Sequence, residues 1–110
     1  MSDTERQNTS EITCQRCIAD LYRVAYLALA DSALAQDVVK QTCVACVHRY
    51  GKSEDPIEIR YNLVQDLTRR CRRKLQSYTP STDALPEAVR SLTSDARLKW
   101  VARVVFGMAV

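Results

Sequence analysis

Residues Leu21 to Val47, LYRVAYLALADSALAQDVVKQTCVACV, decide the fold of this chain. On both sides of Asp31-Ser32, apolar side chains recur every three to four positions, the spacing of amphipathic helices and not of strands. Upstream the inner face runs Cys14, Cys17 or Ile18, Leu21, Ala25 and Ala28 or Leu29. Downstream it runs Ala35, Val38 or Val39, Thr42 or Cys43, Cys46 and Tyr50. Asp31 or Ser32 can cap the second helix, because their side-chain oxygens accept from unpaired amides of a first turn. The stretch reads as a helical hairpin with a very short polar turn at Asp31-Ser32.

The flanks extend this pattern. Residues 1–10 are polar and read as a disordered lead-in. The first helix starts near Ser10, with Thr9 or Ser10 as its cap and Glu11 favourably placed for the helix dipole. Gly51 ends the second helix, since glycine accepts the left-handed conformation of a C-cap. Asp55-Pro56 opens a third helix from about Ile57 to Ser77, with Ile59, Leu63, Val64 or Leu67, Cys71 and Leu75 on a thin apolar face. Residues 79–86 hold two prolines and read as a linker. A last helix runs from Pro86 or Glu87 to Phe106, and Thr93-Ser94-Asp95 favours an interruption within it. The expectation is an all-α protein of about four helices. Residues 11–78 form a three-helix bundle, and 87–110 add a C-terminal helix.

Composition bounds the function. A chain of 110 residues suits one small domain. Only two glycines cannot build a phosphate-cradling glycine-rich loop, and a single histidine, His48, excludes a histidine-rich metal site. With no other catalytic motif, the reading is of a protein that is not an enzyme and carries no cofactor. The start MSDTERQNTSE has no secretory pattern, and no apolar run reaches the ~18 residues of a membrane span. The expected compartment is the cytoplasm, with no membrane partner. There the five cysteines stay reduced, and their odd number argues against a closed disulfide framework.

Two features carry chemistry. Arg69-Arg70-Cys71-Arg72-Arg73-Lys74 places five positive charges in six residues at a helix C-terminus. Some satisfy the dipole. The excess suits phosphate, which arginine binds through charge-assisted, often bidentate hydrogen bonds. The second feature is a pair of C-x-x-C motifs. Cys14 and Cys17 precede residue 30 by the same intervals at which Cys46 and Cys43 follow it, so an antiparallel hairpin brings all four thiols to one level. Core packing, a four-thiolate metal site and redox pairing all remain open for Cys14, Cys17, Cys43 and Cys46. The apolar end VARVVFGMAV needs cover from the bundle, a second copy or a regulatory partner.

The order Leu21-Tyr22-Arg23-Val24-Ala25-Tyr26, then Asp31, then Ala35-Gln36-Asp37-Val38-Val39-Lys40-Gln41-Thr42-Cys43 resembles region 2 of bacterial sigma factors of the extracytoplasmic-function type. Ile59, Asn62, Asp66, Arg69 and Arg70 fit that family's next helix, but Asp55 and Pro56 replace its tryptophan and leucine. Leu85-Pro86-Glu87-Ala88-Val89, Leu92, Arg97, Val101, Arg103 and Gly107-Met108 are similar to the start of its region 4. The resemblance implies a transcription protein whose partners are core RNA polymerase and promoter DNA. It places polymerase docking at Asp37, Lys40 and Gln41, where the family more often has glutamine and an acid at the last two. It places DNA contact at Asn62, Arg69, Arg70, Arg72, Arg73 and Lys74. The connection after the second helix is shorter than the family's, and the sequence stops before a recognition helix. Two readings follow, a piece of a longer sigma factor or a degenerate sigma-like interaction module without promoter recognition.

Overall fold

The structure, a computed structural model, describes residues 9–50 and 55–110. Among these the chain is all-α, with no strand: α1 Thr9–Leu29, α2 Ser32–Tyr50, α3 Pro56–Leu75, the single turn α4 Glu87–Arg90, and α5 Ser94–Phe106. Thr9 and Ser10, expected in the lead-in and cap, are already helical, and Ser10 is buried. Residues 1–8 and Gly51, with its expected C-cap, lie outside the described residues.

The hairpin turns one residue earlier than expected, at Ala30-Asp31. Ala30 takes the left-handed conformation at φ 55° and donates its N–H to the Tyr26 carbonyl at 2.7 Å, closing α1. Asp31 is the cap of α2, its carboxylate accepting from the Leu34 amide at 2.9 Å. Ser32 instead shares a hydrogen bond with the Tyr22 hydroxyl at 2.9 Å, tying the second helix back to the first.

α1 is the central element and touches α2, α3 and α5. Its inner stripe is Cys14, Cys17, Leu21, Val24, Ala25, Ala28 and Leu29, all buried, so Cys17 faces the core and Ile18 does not. α2 contributes Ala35, Val38, Val39 and Cys46, while buried Thr42 returns its hydroxyl proton to the Val38 carbonyl at 2.8 Å. α3 is capped as expected, with the Asp55 carboxylate accepting from the Ile57 and Glu58 amides.

The C-terminal segment is part of the same core, so the bundle is what covers most of its apolar end. Leu98, Val101 and Phe106 of α5 share one apolar cluster with α1, α2 and α3, and Val105, Met108 and Val110 pack against it. The expected interruption at Thr93 is a helix start, with the Thr93 hydroxyl accepting from the Ala96 amide. Gly107 at φ 68° ends α5. Two arginines then clamp helix C-termini. Arg60 donates to the Phe106 carbonyl at 3.2 Å and lies 5.1 Å over the Phe106 ring. Arg97, fully buried, donates to the carbonyls of Leu27, Ala28 and Leu92.

Two substitutions measure these joints in urea unfolding. Ala30→Gly raises stability by about 1 kcal/mol, because a left-handed residue with a Cβ is strained. Arg97→Ala lowers it by ~3 kcal/mol, since it strands buried carbonyls and leaves a void. Arg97→Lys recovers only part, having no planar fork to span two carbonyls.

Candidate docking groove and cationic surface

Small side chains between α1 and α2 let the backbones approach, and the outer side of the hairpin is left as an open apolar groove of about 760 Å³. Ile18, Ala19 and Tyr22 of α1 face Val39, Cys43 and Val44 of α2 across it. Ile18 and Val44 are 50% and 63% exposed, so this apolar surface has no cover within the described chain. Arg23, Gln36 and Lys40 form the polar rim, and no carboxylate lines the groove.

The three residues matched to polymerase docking stand along the same edge. Asp37, Lys40 and Gln41 are all exposed on α2. Lys40 borders the groove, whereas Gln41 borders a cleft toward α3. The Gln41 amide donates to the Asp37 carboxylate at 3.0 Å, fixing both side chains one turn apart. These polar residues therefore form a ridge between an apolar groove and a cationic cleft.

The basic cluster is less available than its charge suggests. Asp66 holds Arg70 at 2.9 Å and Arg69 at 3.6 Å, and Asp95 holds Arg72 at 2.9 Å. The Asp95 carboxyl is pushed below the usual carboxylate range by its bonds to Arg72 and then Lys99. Arg73 and Lys74 have no carboxylate partner among the described residues. Arg73 separates two clefts that no acid lines. One, about 390 Å³, also takes Arg69, Arg72, Thr68 and Gln76. The other, about 290 Å³, takes Arg70, Lys74, Gln41 and Ser77.

Asn62 is not gathered with this group. It is half-buried, and its amide donates to the Glu58 carbonyl one turn back at 2.9 Å. It lines a small cleft between α2 and α3 with Cys46, Arg49 and Asp66, and meets the basic cluster only through Arg69. Trp100, read as an anchor in the core or at an interface, is 48% exposed on α5.

Three of the four paired cysteines meet. Cys14 neighbours both Cys43 and Cys46 across the α1–α2 interface, and the three thiols act on one another's protonation. The neighbouring Cys14 and then burial push the Cys43 thiol up, while Cys14 pulls the Cys46 thiol down. For Cys14, Cys43 lowers and Cys46 with burial raises, leaving it at about 12. Cys17, pushed up by burial, sits instead beside Arg60, which opposes the shift. Among the described residues no three His, Cys, Asp or Glu side chains converge as a metal-binding group. Nor is any described helix long and apolar enough to cross a membrane.

The apolar groove was half legible: Ile18 and Val44 are apolar residues outside the buried stripe of their helices, and that mismatch is the signal. A pH effect follows from the thiols. Burial pushes Cys71 from 9.0 to about 12. The native state therefore keeps a proton there that the unfolded chain releases, so stability falls as pH rises from 9.0 toward 12. Urea midpoints across that interval decline in the parent and decline less in Cys71→Ala.

Comparison of the chain with protein-family models, with curated proteins and with solved structures gives no match.

Proposed function

We propose that this chain is a sigma-like transcription protein that docks on core RNA polymerase through the outer face of the α1–α2 hairpin. The observation that carries the reading is the uncovered apolar groove beside the Asp37, Lys40 and Gln41 ridge. An exposed apolar strip with polar edges is the usual form of a helix-docking face, in which a few anchors give most of the affinity. The chemistry it suits is a partner helix with apolar anchors and acidic flanks, because the charges on its rim are Arg23 and Lys40.

DNA contact is the second part of the proposal. Arg73 and Lys74 are its primary contacts. Arg69, Arg70 and Arg72 first have to exchange Asp66 and Asp95 for phosphate. Those ion pairs favour the alternative, a sigma-like interaction module that has kept the docking face without promoter recognition. A regulatory protein or a second copy would then occupy the exposed Trp100 and Val104 face of α5.

Retention on immobilised core polymerase tests docking. Val44→Asp, an exposed change that puts a charge into the groove, abolishes retention, whereas Val104→Asp on the far helix does not. Loss of neither, or no retention of the parent at low salt, overturns the docking role. For DNA, Arg73→Ala with Lys74→Ala reduces the slope of log affinity against log salt by roughly 2, about one per phosphate contact. A parent that binds DNA negligibly at low salt selects the interaction module.

A further inference from the structure

We propose that the cleft between α2 and the C-terminal end of α3 is a seat for one phosphate group, walled by Arg70, Arg73, Lys74 and Ser77. The group is either a free phosphate or one phosphate of a nucleic-acid backbone. In the second case the seat rests on the DNA-contact reading, but inorganic phosphate tests it without DNA.

Placement carries the argument. Arg70, Arg73, Lys74 and Ser77 recur at helical spacing along one side of α3 and its following turn. Gln41 of α2 completes the cleft beside buried Val38, and no carboxylate lines it. Two carboxylates instead hold its donors from outside. Asp66 takes Arg70 through Nε at 2.9 Å, so the terminal guanidinium nitrogens keep their protons for another acceptor. Asp37 takes one of the two Gln41 amide protons at 3.0 Å, and the other remains. Arg73 and Lys74 carry no ion pair among the described residues, so their charge is uncompensated. Carbonyls of a last helical turn oppose an anion, but those of Arg73 and Lys74 are already bonded by the Gln76 and Ser77 amides. The Ser77 hydroxyl donates to the Lys74 carbonyl at 3.4 Å, a long bond that it exchanges for a phosphate oxygen.

The donor set selects the anion. A carboxylate presents two oxygens in one plane, whereas a phosphate presents its oxygens in a tetrahedron and carries more charge. Here the donors approach from two helices, so the tetrahedral anion meets more of them at once. Two guanidinium groups add the bidentate geometry that suits phosphate. The neighbouring cationic cleft is a poorer seat. It is lined by α3 and its cap alone, and two of its arginines, Arg69 and Arg72, are held by Asp66 and Asp95.

The test is titration of the whole protein with inorganic phosphate at constant ionic strength, read from the arginine Nε–H signals in nitrogen–proton NMR spectra. Arg70 and Arg73 shift along one saturating curve, while exposed Arg16 and Arg103, on α1 and α5, do not. Sodium acetate gives no saturation. Arg73→Ala with Lys74→Ala weakens phosphate binding about tenfold or more. Arg16→Ala with Arg103→Ala removes the same charge and leaves binding unchanged, and Ser77→Ala weakens it by less than the first pair. A duplex oligonucleotide that displaces phosphate from these signals puts a backbone phosphate in the seat. Phosphate binding by a protein that binds no duplex assigns the seat to a free phosphate and removes only the DNA reading. Shifts that do not saturate, equal shifts at Arg16 and Arg103, an equal response to acetate, or equal weakening by the two double variants overturns the proposal. The signals of the parent protein decide the matter even where a variant fails to fold.

Discussion

The bundle depends on a buried cation with no carboxylate partner among the described residues. Arg97 is almost wholly removed from solvent, and burial lowers the proton affinity of its guanidinium. Its charge is met by the carbonyls of Leu27 and Ala28, the last turn of α1, and by the Leu92 carbonyl. A helix C-terminus carries the negative end of the dipole and unpaired carbonyls, so one arginine satisfies both needs of α1. Without it α1 would end inside the protein with orphaned acceptors. With it, α5 is fixed against the central helix, and no buried side-chain polar atom among the described residues lacks a partner.

Arg60 repeats this arrangement for α5, donating to the Phe106 carbonyl while its plane covers the ring. The chain is thereby locked in both directions, α5 onto α1 and α3 onto α5. That locking consumes the apolar C-terminal end, most of which packs inward. What remains uncovered is the outer side of the hairpin, along the seam of α1 and α2. Small residues there permit close packing but leave a trough between the helices, bordered by the longer side chains of Ile18, Tyr22 and Val44.

Helix periods and caps were readable because they are local. The buried stripes of α1, α2 and α3, the Asp55-Pro56 start and the break at Thr93 follow from spacing and from side chains that bond amides two or three residues away. The turn was misplaced by one residue, since nothing in the sequence marks an alanine for a left-handed conformation. Of the three covers open for the apolar C-terminal end, the bundle itself takes most of it, which the sequence left undecided. A proline-containing connection reads as a linker whether or not the helix beyond it returns to the same core. Asn62 and the basic cluster share one helix, but sequence spacing does not say that the Asn62 amide turns back onto Glu58. Nor does it say that Asp66 and Asp95 occupy three of the arginines.

The sequence by itself determined the all-α class, the helical hairpin and the cationic end of α3, because each depends on residues a few positions apart. Tertiary structure alone decided which cations remain free, which thiols touch, and that an arginine from the last helix closes the first. Those outcomes depend on carboxylates, carbonyls and sulfurs supplied from distant parts of the chain. Their contacts exist only once α5 has folded back onto α1.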